Sequence, residues 1–247
     1  MNTTLRSFFL AAALTALCAV FVNLAVPQPS QAATITGSGR SASETRSVAD
    51  FTRIAISGSM NLSVSQGDKT RVVLQADDNL LPMIETVVDG GRLEIRFKRG
   101  ESYSTRSSVN ITVVTPRLTG LSAAGSGDIK LDTLNTPSLK IGISGSGNAV
   151  LSALTTEDLG VTVSGSGDVR GTGKAAKLKV SIAGSGDVRL GEVKADDVTV
   201  SVAGSGDATV NAQKTLNVSI AGSGDVVYSG EAAVKSSVAG SGSVKKR

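Results

Sequence analysis

The tripeptide Gly-Ser-Gly returns seven times down the second half of this chain, at Gly125, Gly145, Gly165, Gly184, Gly204, Gly222 and Gly240. Successive copies lie 18 to 20 residues apart, and five of the seven are followed directly by aspartate. A fixed period of this length marks a solenoid, in which each repeat is one coil that buries its apolar side only when a neighbour stacks on it. Before each corner the apolar residues alternate: Leu139, Ile141 and Ile143 precede Gly145, and Leu178, Val180 and Ile182 precede Gly184. Thr119, Leu121 and Ala123 hold the same places before Gly125. After the corner the alternation resumes, as in Ala149 and Leu151 or Val188 and Leu190. Period-two alternation is a strand with one buried side. Each repeat therefore reads as strand, glycine corner, strand and a looser return such as Asp132–Ser138.

One coil does not fold alone. About five inward side chains contribute roughly 1.5–3 kcal/mol each, while ordering about 20 residues costs roughly 1–2 kcal/mol per residue. Stacking parallel coils about 4.8 Å apart joins the apolar columns and tips the balance. The expected fold is an all-β parallel β-helix with about 18–21 residues per coil. Antiparallel hairpins of similar length are the competing arrangement. Against them, the same half-repeat recurs in one orientation every time.

Upstream, Ile54 and Ile56 precede Gly58 while Leu62 and Val64 follow it, and Ile35 precedes Gly37-Ser38-Gly39. Both read as atypical first coils. The 67 residues between Gly58 and Gly125 leave room for about three further coils without the motif. Within them, Arg71–Gln75 reads as a strand and Asp77–Glu85 as a helical turn or short helix. Thr86–Phe97 reads as a hairpin turning at Asp89-Gly90-Gly91, Lys98–Ser108 as a polar loop, and Val109–Val114 as a strand ended by Pro116. The expected organisation is a signal peptide over 1–32, irregular coils over 33–117 and repeat coils of the same domain over 118–247.

The leader carries Arg6, an apolar run from Phe8 to Val26 and the small-residue site Ser30-Gln31-Ala32, which predicts cleavage after Ala32. The run is also long enough for an uncleaved anchor. Cys18 follows Leu17, which is too large for a lipoprotein site. Cleavage would remove the only cysteine, leaving no thiol chemistry, and the sequence has no histidine. Arg6 is the sole charged residue before Ala33, so the remaining chain carries 24 basic and 21 acidic residues. That near balance argues against a nucleic-acid partner, and the Lys245-Lys246-Arg247 tail reads as a solvated chain end. No later run could span a membrane. The expected location is extracytoplasmic: periplasmic, cell-surface or secreted.

Phe51-Thr52-Arg53-Ile54-Ala55-Ile56-Ser57-Gly58, Ala76-Asp77-Asp78-Asn79-Leu80-Leu81, Val88-Asp89-Gly90-Gly91-Arg92-Leu93-Glu94-Ile95 and the Gly-Ser-Gly-Asp series together resemble the head GIN domain of putative auto-transporter adhesins. The resemblance covers essentially the whole chain after the leader. It implies an extracytoplasmic β-helix, similar in shape to pectin lyases, with an adhesive role and no catalytic residues to carry over. The sequence departs from the pattern of a full autotransporter in that no C-terminal run reads as the ten-residue strands of a membrane barrel.

The corner column Asp128, Asn148, Asp168, Asp187, Asp207 and Asp225 is the main candidate for chemistry. Stacked carboxylates about 5 Å apart would repel by roughly 1 kcal/mol per pair in water, which calcium would relieve. Asp128, Asp168, Asp187, Asp207 and Asp225 are thus the calcium candidates. The competing and favoured reading has each carboxylate accepting amides of its own turn. Calcium-binding β-rolls carry their glycine-aspartate motif on both sides of a coil, whereas here it occurs once. No cofactor is otherwise expected.

The corner serines, Ser126 to Ser241, could form a hydroxyl ladder but have no histidine to activate them. Strands rather than helices follow Gly-Ser-Gly, which excludes a phosphate loop. Asp187 with Arg189, or Asp168 with Arg170, could serve a polysaccharide-active enzyme, although exposed charges beside a turn are usually plain surface. Sugar grooves also favour aromatic platforms, whereas the repeats from Arg117 onward contain only Tyr228, and Tyr103 is the one exposed-looking aromatic elsewhere. A specific site is first sought in the Lys98–Ser108 loop and the Asp77–Glu85 turn. The expected role is a non-catalytic, adhesin-like interaction with a surface, matrix or polysaccharide ligand. A polysaccharide-binding or polysaccharide-active β-helix and a purely structural envelope protein are the alternatives.

Overall fold

The structure, a computed structural model, describes residues 34–247. The apolar run from Phe8 to Val26 and the expected cleavage after Ala32 lie outside them. From Gly120 onward the chain winds as stacked parallel coils in one continuous sheet system. The columns read from the sequence stand directly above one another: Ile141 on Val161, Val161 on Val180, Val180 on Val200 and Val200 on Val218. Nearly every member is fully buried. At the first coil Thr119 faces solvent, and Leu118 is buried instead.

Each coil has three sides. In Ala149–Gly165 the buried residues fall into three groups: Ala149 and Leu151, then Leu154 and Thr156, then Leu159, Val161 and Val163. Between the groups two successive residues face outward, Ser152-Ala153 and Glu157-Asp158. A side alternates with period two, so two outward residues in a row bend the chain. Gly-Ser-Gly makes the third corner. The loose return is therefore a paired strand, Leu134–Gly145 in the first repeat, and Pro137 stands at a bend where pairing skips one residue. A coil buries seven inward residues rather than five.

At the glycine corner successive coils approach closely. The N–H groups of Ser185 and Gly186 both donate to the carbonyl of Gly165, at 2.9 and 3.1 Å, and the same fork recurs up the stack. Gly184 has φ +133°, and a Cβ there would overlap the Gly165 oxygen and lie 3.1 Å from its carbonyl carbon and nitrogen. A Cβ on Gly186 would likewise overlap the Gly167 oxygen. Both glycines persist because backbone packs on backbone.

The N-terminal part departs from simple winding. Arg53–Ser57 and Met60–Gln66 form a coil around Gly58. The Gly125 coil stacks directly on it, with Leu121 beside Ile54 and Ile129 beside Leu62, 67 residues apart in sequence. On its other side lie Arg92–Phe97 and Val109–Thr115, with Leu93 beside Ile54 and Ile111 beside Leu62. The intervening residues thus supply one parallel turn, not three, on the side away from the repeats. Beyond that turn the strands reverse: Ile84–Asp89 runs antiparallel to Arg92–Phe97, Arg71–Asp77 to Val109–Thr115, and Ser41–Arg46 to Arg71–Asp77. These strands close the stack. The hairpin turns at Gly90-Gly91 as expected, and the helical turn is a 3-10 segment, Leu81–Met83. Thr34–Thr36 starts no coil; it pairs with Ser102–Ser104 inside the expected polar loop.

Candidate functional site

The corner aspartates form a column, but their partners are not the amides of their own turns. The side chain of each accepts the N–H of the corner residue one coil further on. Asp128 Oδ1 accepts from Asn148 at 3.1 Å, Asn148 Oδ1 from Asp168 at 3.2 Å, and Asp168 Oδ1 from Asp187 at 3.0 Å. Asp187 accepts from Asp207 at 2.9 Å, Asp207 from Asp225 at 2.7 Å and Asp225 from Ser243 at 2.8 Å. The ladder begins upstream, where Asn61 Oδ1 accepts from Asp128. Only an acceptor oxygen is needed at each step, so Asn148 fits as well as aspartate.

The second carboxylate oxygens of Asp168 and Asp187 meet a shared cation. Arg189 donates to Asp168 Oδ2 at 2.8 Å and to Asp187 Oδ2 at 2.7 Å, bridging two coils. Partial burial pushes the Asp168 carboxyl up, but the Asp187 amide and the Arg189 guanidinium outweigh it and hold the group below the usual carboxylate range. The hydroxyl and amide of Ser243 hold Asp225 low in the same way. Among the described residues, no three acidic side chains converge in a group able to hold a metal ion. Of the corner serines, Ser59 and Ser126 are in hydrogen-bond contact, at 3.1 Å.

Beside this column runs a shallow groove. The strand after each corner turns one residue outward: Lys130, Val150, Arg170, Arg189, Thr209 and Val227, each in register with the next. Two depressions of about 520 and 540 Å³ share Val150, Arg170 and Arg189 and so form one trough along the stack. Toward the N-terminal end it is bounded by Asn61 and Asp128, toward the other by Tyr228 and Arg247. Arg170 makes no ion pair among the described residues, so its guanidinium is open to a ligand. The trough thus offers fixed acceptors on one side, cationic donors on its floor and apolar patches at Val150 and Val227. From the sequence alone, Arg170 and Arg189 read as plain surface charges beside a turn. What makes them a line is that the outward residue two places past the aspartate position repeats in register.

The Asp77–Glu85 and Lys98–Ser108 segments, where the sequence points first for a specific site, do meet, and they build a clasp. Asn79 Oδ1 accepts the Ser38 amide at 2.9 Å, and its Nδ2 donates to the Thr36 carbonyl at 2.8 Å. Arg40 pairs with Asp78 at 2.8 Å. Asp77 is 1% exposed, and its Oδ2 accepts the Thr105 hydroxyl at 2.7 Å. The hydroxyls of Thr105 and Ser107 hold its carboxyl below the usual range. A Cβ on Gly37 would overlap that same oxygen. Tyr103 stacks on Phe97, ring centroids 3.6 Å apart, and its hydroxyl lies against Gly58, topping the glycine corner. Tyr228 lines the groove. The basic tail is tied down: Val244–Lys246 pairs with Val226–Ser229, and Lys246 pairs with Glu231 at 3.2 Å. No helix among the described residues is long and apolar enough to cross a membrane.

One family model, described as putative auto-transporter adhesin, head GIN domain, matches residues 50–232. A solved structure of a putative adhesin from Bacteroides fragilis is 27% identical, with a TM-score of 0.81 over 86% of this chain and 100% of that one. A putative lipid binding protein from Parabacteroides distasonis is 25% identical, with a TM-score of 0.73 over 87% of this chain and 100% of that one. A putative adhesin from the same organism is also 25% identical, with a TM-score of 0.71 and the same coverage. A comparison with curated proteins gives no match.

Proposed function

This chain belongs to the head GIN domain family of putative auto-transporter adhesins, and we propose that it is a non-catalytic, extracytoplasmic adhesin-like protein. It holds an extended, hydroxyl-rich polymer such as a polysaccharide along the Arg170–Arg189 groove. The observation that carries this reading is the register of the groove. Lys130, Val150, Arg170, Arg189, Thr209 and Val227 follow one another coil by coil, spaced about 4.8 Å apart. A polymer lying along the axis meets a fresh set of donors and acceptors at each coil, and modest contacts at linked sites multiply. The leader and the family's adhesin description support a location outside the cytoplasm.

The charge pattern favours binding over catalysis. A general acid near neutrality needs a raised carboxyl pKa, and Asp168 is shifted the other way. Arg189 is tied to two carboxylates and supports the ladder, which leaves Arg170 as the main free contact.

The test is a glycan-array and whole-cell binding screen with the protein lacking its leader, followed by titration of each hit against Arg170→Ala. Loss of roughly one hydrogen-bonded charge contact, about 1.5–3 kcal/mol, predicts weakening by tenfold or more. Undiminished binding by Arg170→Ala, or turnover of a bound polysaccharide, would overturn the proposal.

A further inference from the structure

The two ends of the stack differ. Antiparallel strands close the N-terminal end, while among the described residues nothing covers the last coil. Its long side, Ala233–Gly240, pairs only with the coil before it. Val234 and Val238 are 37% and 42% exposed, whereas Leu216 and Ile220, one coil below in the same columns, are 0% and 1% exposed.

The direction of the unpaired backbone groups follows from the coils beneath. Inward residues donate their N–H to the next coil, as Ala149 does to the Asp168 carbonyl and Val169 to that of Asp187. Outward residues donate to the previous coil, as Lys140 does to the Thr119 carbonyl. The same parity aims the N–H and C=O groups of Val234, Ser236 and Val238 at the open end. An edge of this kind is a template for another strand.

The sequence Ala-Val-Lys-Ser-Ser-Val-Ala-Gly of this edge fits a second copy of itself. We propose that two copies of this chain join end to end by antiparallel pairing of Ala233–Gly240, about a twofold axis at Ser236. In that register Val234 lies opposite Val238 of the partner subunit, and Ser236 opposite Ser236 of the partner subunit. Lys235 faces Ser237 of the partner subunit and not its own copy. The three inward pairs exchange about six backbone hydrogen bonds, and the apolar columns run on from one copy into the other. Sliding the register so that the axis falls at Lys235 places like charges opposite each other and valine against serine. A slip to an odd offset turns one copy's core side outward.

Ser236 itself fits this arrangement. It is a hydroxyl in a column otherwise filled by Leu121, Ile141, Val161, Val180, Val200 and Val218. At a twofold axis a single hydroxyl meets its own copy, and each serves the other as donor or acceptor.

The experiment is sedimentation velocity on the protein without its leader across a concentration series, together with two variants. Val238→Lys places an inward charge on the edge, where the side chain is exposed in the single copy. It should raise the dimer dissociation constant by roughly tenfold or more while leaving the melting curve of the dilute protein unchanged. Ser236→Cys, with Cys18→Ser wherever the leader is retained, should give a covalent dimer on mild oxidation. Directly opposed residues of this kind lie about 5.5 Å apart between Cα atoms, within disulfide reach. Ala233→Cys should not. A monomer at every concentration would leave the edge to some other chain and overturn the proposal. A dimer indifferent to Val238→Lys, or one that cross-links through Ala233→Cys as readily as through Ser236→Cys, would overturn it too.

Discussion

Exchange of Gly184 for alanine tests the corner directly, because the same exchange at Gly160 changes composition equally and geometry hardly at all. At Gly184 the methyl would have to enter backbone with φ +133° while overlapping the carbonyl oxygen of the coil below. The dihedral alone costs about 1–3 kcal/mol for a residue with a Cβ. The overlap is with backbone already receiving two N–H groups, so relief requires lifting one coil off another and weakening that fork, at about 1 kcal/mol per hydrogen bond. A total near 3–4 kcal/mol is expected. Gly160 lies on an open side, its nearest neighbour to a new Cβ being Lys140 Cγ at 3.7 Å. There alanine restricts the unfolded chain and should stabilise by about 0.4–1 kcal/mol. For a chain of this size 1 kcal/mol moves Tm by about 2–4 °C, so the two variants should melt roughly 10 °C apart. Thermal and urea unfolding followed by circular dichroism reads the difference, and hydrogen exchange should place the loss in the Gly165, Gly184 and Gly204 coils. If the two variants unfold within 1 °C of each other, close backbone approach is not what keeps glycine at the corner.

Asp187→Asn should be nearly neutral, as Asn148 already shows the amide to be accepted, while Asp187→Ala should cost about 1 kcal/mol by stranding the Asp207 amide; urea midpoints separate them. Asp168 and Asp225 have carboxyls held below their ordinary range, so their stabilising effect is complete above the unfolded-state pKa near 4. It is lost as pH falls from there through the lowered folded values. A Tm series from pH 6 to 2 should decline in that window and flatten for the doubly substituted Asp168→Asn, Asp225→Asn chain. Ile182→Ala, at a buried position in the middle of its column, should cost about 2–5 kcal/mol in the same urea assay. Asp77→Ala should lower the first unfolding step seen by hydrogen exchange in Arg71–Asp77 and leave the Gly204 coil unchanged.

The repeat coils were legible because one corner is pinned by backbone contact, so the residues flanking it keep their spacing in every copy. The second side of the coil was not. Leu154 aligns with Gly173 and Val193, and Thr156 with Ala175 and Ala195. The register shifts between Leu151 and Leu154 and again between Leu190 and Lys194. Bends there absorb the difference between 18- and 20-residue repeats, which blurs any column counted from the glycine. The Gly58 turn was visible as a coil, but its neighbours were not, because 67 residues separate Leu121 from the Ile54 it touches. The groove was missed for a related reason. Arg170 and Arg189 are ordinary surface residues singly, and only stacking makes them a line. The clasp was half-seen: Asp-Asp-Asn marked a special place, but not that Thr36–Arg40 and Thr105 would close on it.

The coil around Gly58 has both of its faces filled by residues that come later in the chain. During synthesis the repeats can settle one upon another as each emerges, but this first turn stays bare until residues 92–131 have arrived. Closing a span of 67 residues instead of 20 adds about 1 kcal/mol of entropic cost, and ordered growth of the rod must wait for it. The slowest and most exposed moment in the molecule's assembly thus falls at its base, before the regular part has anything to grow upon.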